Sequence, residues 1–203
     1  VQRSVAIILL SLTLALFLLL AGFFSVYYDR GQRGMYSQYT GEKKAEVNAI
    51  LHFLNSHEDV SSLAFLDGAE RSHMADVRRV LNGFRITFFT VISLLLLQFY
   101  LLLREPSKAG KYRVIRESLL WGGAGALLLV ALLAASSLFD FASFWTAFHH
   151  ILFPQGNWQF PYTSVLITLF PEEFFSRFAT QVLLATASYG VICSAASRIR
   201  PSS

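Results

Sequence analysis

One cysteine, Cys193, is all the chain contains, so no disulfide can form within it, and its place in an apolar run marks an inert buried thiol. Charge is scarce too: 15% of residues are Asp, Glu, Lys or Arg, and four long stretches carry none. A transporter is disfavoured on that ground, because no charged side chain is available inside a span to line a polar path. There is no HExxH, no internal repeat and no low-complexity tract. The net charge of +4 is small, and nothing resembles a nucleic-acid binder.

What the chain has in plenty is apolar residues, 54% of the total, with a mean hydropathy of +0.49. The uncharged runs Ser4–Tyr28, Ile86–Leu103, Ser118–Phe139 and Phe178–Ser197 are each long enough to cross the hydrocarbon core as a helix. A helix satisfies its own backbone polar groups, as lipid requires. The expectation is an all-α membrane protein, a single integral membrane domain over 1–203. Its four transmembrane helices fall at about 4–28, 86–103, 118–139 and 178–197, and a small extracellular cap is built from two outward loops, about 29–83 and 140–177.

Charge placement orients it. Arg3 precedes the first span, Arg104, Lys108, Lys111, Arg113 and Arg116 crowd the second connection, and Arg198 and Arg200 follow the last span. By the positive-inside rule both termini are cytoplasmic and residues 29–83 face outward, where seven Lys/Arg nearly balance eight Asp/Glu. The first run could serve as a signal peptide, but it exceeds the usual h-region and no A-x-A site follows. Leu20, Ala21 and Gly22 resemble a lipobox, with Phe23 in place of its cysteine. An uncleaved anchor is expected.

In the first outward segment, Thr40 can cap a helix from about Gly41 to Leu54, with Val47, Ile50, Leu51 and Leu54 as its apolar face. Asn55 to Asp59 is a polar break, Leu63–Leu66 a short extended stretch, and Asp67-Gly68 a turn. A second helix starts near Ala69. It stacks Glu70, His73 and Asp76 on one face, where the two carboxylates would fix the His73 tautomer and raise its basicity. Asn82-Gly83 predicts a bend before the second span, and Arg85 a side chain snorkelling to headgroups.

The second outward segment is the most informative. Between Phe139 and Phe178, thirteen of forty residues are aromatic, and His149 and His150 lie among them. Aromatic rings collect where lipid meets water, and a histidine placed there can trade protons near neutral pH. Phe141, Phe144, Trp145 and Phe148 share helical spacing, so Phe139–Leu152 reads as an aromatic-faced helix ended by Pro154. Gln155-Gly156-Asn157 is a turn, Val165–Phe170 an apolar run of open type, and Pro171, Glu172 and Glu173 suit the first turn of the last helix. His150 is turned about 100° from His149 and falls outside its site. His52 and His57 read as solvated histidines.

With those residues in place, the chain resembles the bacterial lipoprotein intramolecular transacylases and their wider integral-membrane family. Glu70, His73, Met74, Asp76 and Val77 carry the likeness ahead of the second span. After the third come Phe144, Phe148, His149 and Phe153, then Asn157, Trp158, Phe160 and Pro161. Leu166, Ile167, Phe170, Pro171, Glu172, Phe174 and Phe175 complete it, so the likeness covers essentially the whole chain. Ser164 departs from it, standing where the family pattern often has Asp.

The resemblance implies a transfer of the sn-2 acyl chain of a diacylglyceryl-cysteine to the α-amino group of the same cysteine, without a cofactor or metal. It also implies His73 and His149 as the catalytic pair, with base and acid unassigned, in a multi-pass protein of the bacterial cell membrane. Phe144, Phe148, Phe153, Trp158, Phe160, Asp76, Glu70 and Glu172 are the candidate substrate-binding residues, and the partners are a diacylated lipoprotein and membrane lipid. Two alternatives stand beside it. His73, Asp76, His149 and His150 could ligate zinc in a membrane hydrolase, or the aromatic cap could bind lipid or a partner without catalysis.

Overall fold

The structure is a computed structural model, and it describes residues 2–29 and 39–199. Residues 30–38 of the first outward segment, and Arg200 among the charges after the last apolar run, lie outside the described residues. Among the described residues there are seven α-helices, one 3₁₀ turn and no strand. The helices are α1 (Gln2–Tyr28), α2 (Gly41–Asn55), α3 (Gly68–Leu103), α4 (Lys108–Phe139), α5 (Phe141–Leu152), α6 (Val165–Leu169) and α7 (Glu172–Ala196). Four of them, α1, α3, α4 and α7, are long and apolar enough to cross a membrane.

The chain forms two compact units. The bundle unit comprises Val1–Tyr27, Ile86–Ala135 and Thr180–Ser203; the histidine unit comprises Tyr28–Arg85 and Ser136–Ala179.

In the bundle unit, small residues bring backbones together, which matters in lipid because no hydrophobic gain drives helix against helix. A Cβ on Gly123 of α4 would lie 2.7 Å from the Gly190 carbonyl of α7, and one on Gly122 would lie 2.8 Å from Leu14 of α1. At Gly22 of α1 a Cβ would overlap the Thr186 side chain of α7. Phe17 stacks on Phe88 at 5.8 Å, and Gln98 donates to the Thr13 hydroxyl at 3.0 Å. Large apolar side chains such as Ile86, Phe89, Leu96 and Leu101 stay exposed, as a lipid-facing surface requires.

In the histidine unit, α2 buries Val47, Ile50, Phe53 and Leu54. Phe53 is fully buried, whereas Leu51 of the expected face is only half-buried. Arg78 of α3 explains the difference: its guanidinium sits 4.0 Å over the Phe53 ring and donates to the Glu58 carbonyl at 2.5 Å. Thr40 stands at the N-cap but makes no side-chain cap bond. Leu63–Leu66 is a hydrogen-bonded turn, with Leu66 N donating to Leu63 O at 3.1 Å, and not an extended stretch. Both leucines are buried.

The bend expected at Asn82-Gly83 is absent, and α3 runs unbroken through it. A helical glycine costs only about 1 kcal/mol against alanine, and a knot around Arg85 holds the turn. Arg85 donates to Asn82 Oδ1 and Asn55 Oδ1, each at 2.6 Å, to Leu54 O at 3.2 Å and to the Tyr28 hydroxyl at 3.1 Å. It ties three segments together rather than reaching for headgroups.

Candidate active site

The site is built from the two chain segments of the histidine unit. Asp67 opens α3 with a reciprocal cap: its carboxylate accepts from Glu70 N at 2.8 Å, and Glu70 Oε2 accepts from Asp67 N at 3.0 Å. The other Glu70 oxygen accepts from Leu166 N at 3.1 Å, at the start of α6. Glu70 is only 2% exposed, so its carboxylate is consumed by backbone donors from two segments. Ser164 caps α6 by accepting from Ile167 N at 3.1 Å, the task an Asp there would perform. The apolar run at 165–170 is thereby a short helix.

One turn on from Glu70 lies His73, and one turn further Asp76. These residues belong to the charged stretch 68–85, which precedes the uncharged run Ile86–Leu103 of α3 and carries Glu70, Arg71, Asp76, Arg78, Arg79 and Arg85. Asp76 accepts from Gln155 Nε2 at 2.6 Å and Asn157 Nδ2 at 2.7 Å, and pairs with Arg79. Burial pushes its carboxyl up, but those three donors outweigh it and hold the pKa low. Asn157 also donates to Ser72 Oγ at 3.3 Å.

In the second segment, Asp140 caps α5 through Ser143 N at 3.1 Å, which is why α5 starts at Phe141 as a helix separate from α4. Phe153 N donates to His149 O at 2.7 Å, and Pro154 permits no further turn. The chain then reverses through Gly156, whose φ of +78° suits glycine, and delivers Asn157 and Trp158.

This arrangement brings His73 and His149 together, with ring centroids 6.2 Å apart and planes inclined by 28°. They are 8% and 6% exposed. Phe153 packs on both, 4.9 Å from His73 and 5.5 Å from His149. Phe160 lies 5.6 Å from His73, while Trp158 and Phe148 lie 4.7 and 5.6 Å from His149. Trp145, seen in the sequence only as part of an aromatic face, is nearer still at 4.1 Å.

Phe144 touches Phe141, at 6.0 Å, and belongs to the flank of this cluster. Glu172 is exposed on the first turn of α7, where its charge suits the helix N-terminus. His150 is exposed and meets Trp158 edge-on at 5.4 Å; His52 pairs with Glu58 at 3.1 Å and His57 is exposed. Among the described residues, no three His, Cys, Asp or Glu side chains converge as a metal site needs.

The protonation of the pair is set by geometry. His149 Nδ1 is 2.9 Å from the Trp145 carbonyl, which can only accept, so Nδ1 carries the hydrogen and Nε2 the lone pair. Burial lowers its pKa, the Trp145 bond opposes that, and His150 adds to the lowering. For His73 the expected rise in basicity is reversed. Burial, first, and His149 bring its pKa down to about 4, against weaker support from Asp76 and Asn157. The reason is that both flanking carboxylates are spent elsewhere, and the Asn157 amide alone does not offset the burial of the ring.

A stability effect follows. A histidine kept neutral by folding binds its proton more readily when unfolded, so its contribution is complete above pH 6.5 and is lost as pH falls toward about 4. That interval corresponds to ~3 kcal/mol. Thermal unfolding of the detergent-solubilised protein between pH 7 and pH 4 is expected to show it, and His73→Phe to flatten the profile. A variant with an unchanged slope would refute this account.

Fold and site thus define a four-span helical membrane protein with two buried, neutral histidines in an aromatic setting. The sequence model of the lipoprotein intramolecular transacylase Lit matches residues 2–175, and the chain belongs to that family. The membrane integral lipoprotein intramolecular transacylase Lit from Bacillus cereus shares the fold, with a TM-score of 0.77 at 19% identity over 97% of this chain and 94% of that one. A form of that protein with a histidine-to-alanine substitution gives 0.74 at 18% identity, covering 97% and 92%. A protein of Aquifex aeolicus (strain VF5), described as uncharacterized, is 26% identical over 129 residues, 64% of this chain and 54% of that protein. The chain thus spans about half the length of that curated relative.

Proposed function

We propose that this chain catalyses an intramolecular acyl shift in a diacylated lipoprotein. The sn-2 acyl group leaves the glyceryl oxygen and joins the α-amino group of the same cysteine, giving an N-acyl lyso-form lipoprotein. The observation that carries the reading is the buried His73–His149 pair, 6.2 Å apart and walled by aromatic rings, in a chain of this family.

The chemistry suits the pair. An ester and an amine exchange one bond and one proton: N–C forms, C–O breaks, and the proton lost by nitrogen ends on the glyceryl oxygen. Both heteroatoms sit on one carbon, so one imidazole can serve both in turn. His149 fits that part, because its Nδ1–H is committed to Trp145 and its Nε2 is left as the base. His73, neutral at physiological pH, supports the departing oxygen by hydrogen bonding. A positioned acid or base is typically worth ~10²–10⁴ in rate, and aligning amine and ester corresponds to effective molarities of roughly 10⁵–10⁸ M. Phe148, Phe153, Trp158 and Phe160 form the apolar surface on which one flexible lipid folds back on itself. Neither Glu70 nor Asp76 need touch it, since both hold the scaffold.

The cationic ends Arg3, Arg104, Lys108, Lys111, Arg113, Arg116 and Arg198 support cytoplasmic termini and an outward histidine unit in the bacterial cell membrane. Mass spectrometry of a co-expressed lipoprotein's N-terminal peptide tests the function. One acyl chain on nitrogen and one on glycerol, at the mass of the diacylated form, is expected. Both chains retained on glycerol overturn the proposal.

A further inference from the structure

Three buried polar atoms close to the histidine pair have no hydrogen-bond partner among the described residues: Trp158 Nε1, Asn157 Oδ1 and His73 Nδ1. Asn157 and His73 lie near enough to support one another, which leaves the Trp158 indole N–H; a buried polar atom left unpaired is uncommon and points to a ligand that completes it. The donors on Asn157 are already used, on Asp76 at 2.7 Å and Ser72 at 3.3 Å, so only its carbonyl oxygen remains to accept. Trp158 offers the opposite: its indole N–H can only donate, and when buried such a group usually finds an acceptor. The Trp158 ring lies 4.7 Å from His149, the residue with the free Nε2.

His73 Nδ1 can be either, depending on tautomer, so among the three atoms the indole nitrogen alone is fixed as a donor. In the acyl shift, amine nitrogen attacks the ester carbon, the carbonyl π pair moves onto oxygen, and the C–O bond to glycerol then breaks. Negative charge therefore appears on the acyl oxygen in surroundings that are otherwise aromatic, where a fixed donor is worth far more than in water.

We infer that Trp158 is a catalytic residue of this reaction, its indole N–H donating to the acyl oxygen as the tetrahedral intermediate forms. The inference rests on the acyl-shift reading. Trp158 then contributes to transition-state binding as well as forming an apolar wall.

The test replaces the N–H while keeping the ring. Trp158→benzothienylalanine puts sulfur in place of the indole nitrogen in a group of nearly the same shape, and Trp158→Phe is the coded counterpart. Both are assayed with a diacylglyceryl-cysteine peptide and with an sn-2 phosphonate analogue that mimics the charged intermediate. The expected result for the sulfur variant is a kcat lower by about 10²–10³-fold, the range for loss of one such donor. KM should be nearly unchanged, the thermal midpoint retained, and phosphonate affinity reduced by a like factor. Full kcat and full phosphonate affinity in that variant, beside an active wild type, overturn the inference alone. A wild type that leaves both chains on glycerol overturns the acyl-shift reading and this inference with it.

Discussion

The His149→Asn substitution is expected to lower the acyl-shift rate by about 10²–10⁴-fold, the range for loss of a positioned base. The unfolding temperature should move little. His149 stands on the last turn of α5 with its Nδ1 hydrogen held by the Trp145 carbonyl at 2.9 Å. An asparagine amide can keep a donor in that region but has no basic nitrogen to receive the amine proton. The fall belongs in kcat, because the apolar surface of Phe148, Phe153 and Trp158 remains to bind the lipid. His57→Asn, on the exposed loop after α2, should act as wild type. Single-turnover assays on a diacylglyceryl-cysteine peptide separate the outcomes. Equal rates for wild type and His149→Asn would support a lipid- or partner-binding role for the aromatic cluster and remove catalysis from this site.

The four long apolar helices were legible because hydrophobic length is a local property, and the aromatic face of α5 because its spacing is written in consecutive turns. His73 and His149 were legible as candidates by type and setting, and the structure brings their rings to 6.2 Å. Their protonation was not legible, because it depends on where Glu70 and Asp76 send their oxygens. Glu70 serves Leu166, 96 residues away, and Asp76 serves Gln155 and Asn157, 79 and 81 residues away. Spacing along one helix face carries no information about such partners, and it suggested carboxylates turned on His73. The α2 face shows a milder version: Leu51 and Phe53 are both apolar and helically eligible, and the Arg78 guanidinium decides for Phe53. At Asn82-Gly83 the local bend signal was real but weak, and the four acceptors around Arg85 overrode it. The Asp67–Glu70 cap had a readable signal, an acidic residue followed three positions later by Glu just before a helix.

Glu70→Ala is expected to destabilise the protein by about 3 kcal/mol, because its carboxylate is taken up by backbone donors. Its two oxygens satisfy Asp67 N at 3.0 Å and Leu166 N at 3.1 Å, and the side chain is almost wholly buried. Removing it strands two backbone donors, each worth about 1–3 kcal/mol when left unpaired in the interior. Water admitted to the gap recovers part of that. Glu70→Gln should lose about half as much, since one amide oxygen still accepts while the amide nitrogen faces a donor. The consequence reaches the site through Leu166: α6 loosens, and with it the 157–165 segment that carries Trp158 and Phe160. Hydrogen exchange at the Leu166 amide should therefore accelerate in both variants, more in Glu70→Ala, and acyl-shift activity should recover on cooling. A Glu70→Ala protein as stable as wild type, with Leu166 equally protected, would show that the buried carboxylate does not join the two segments.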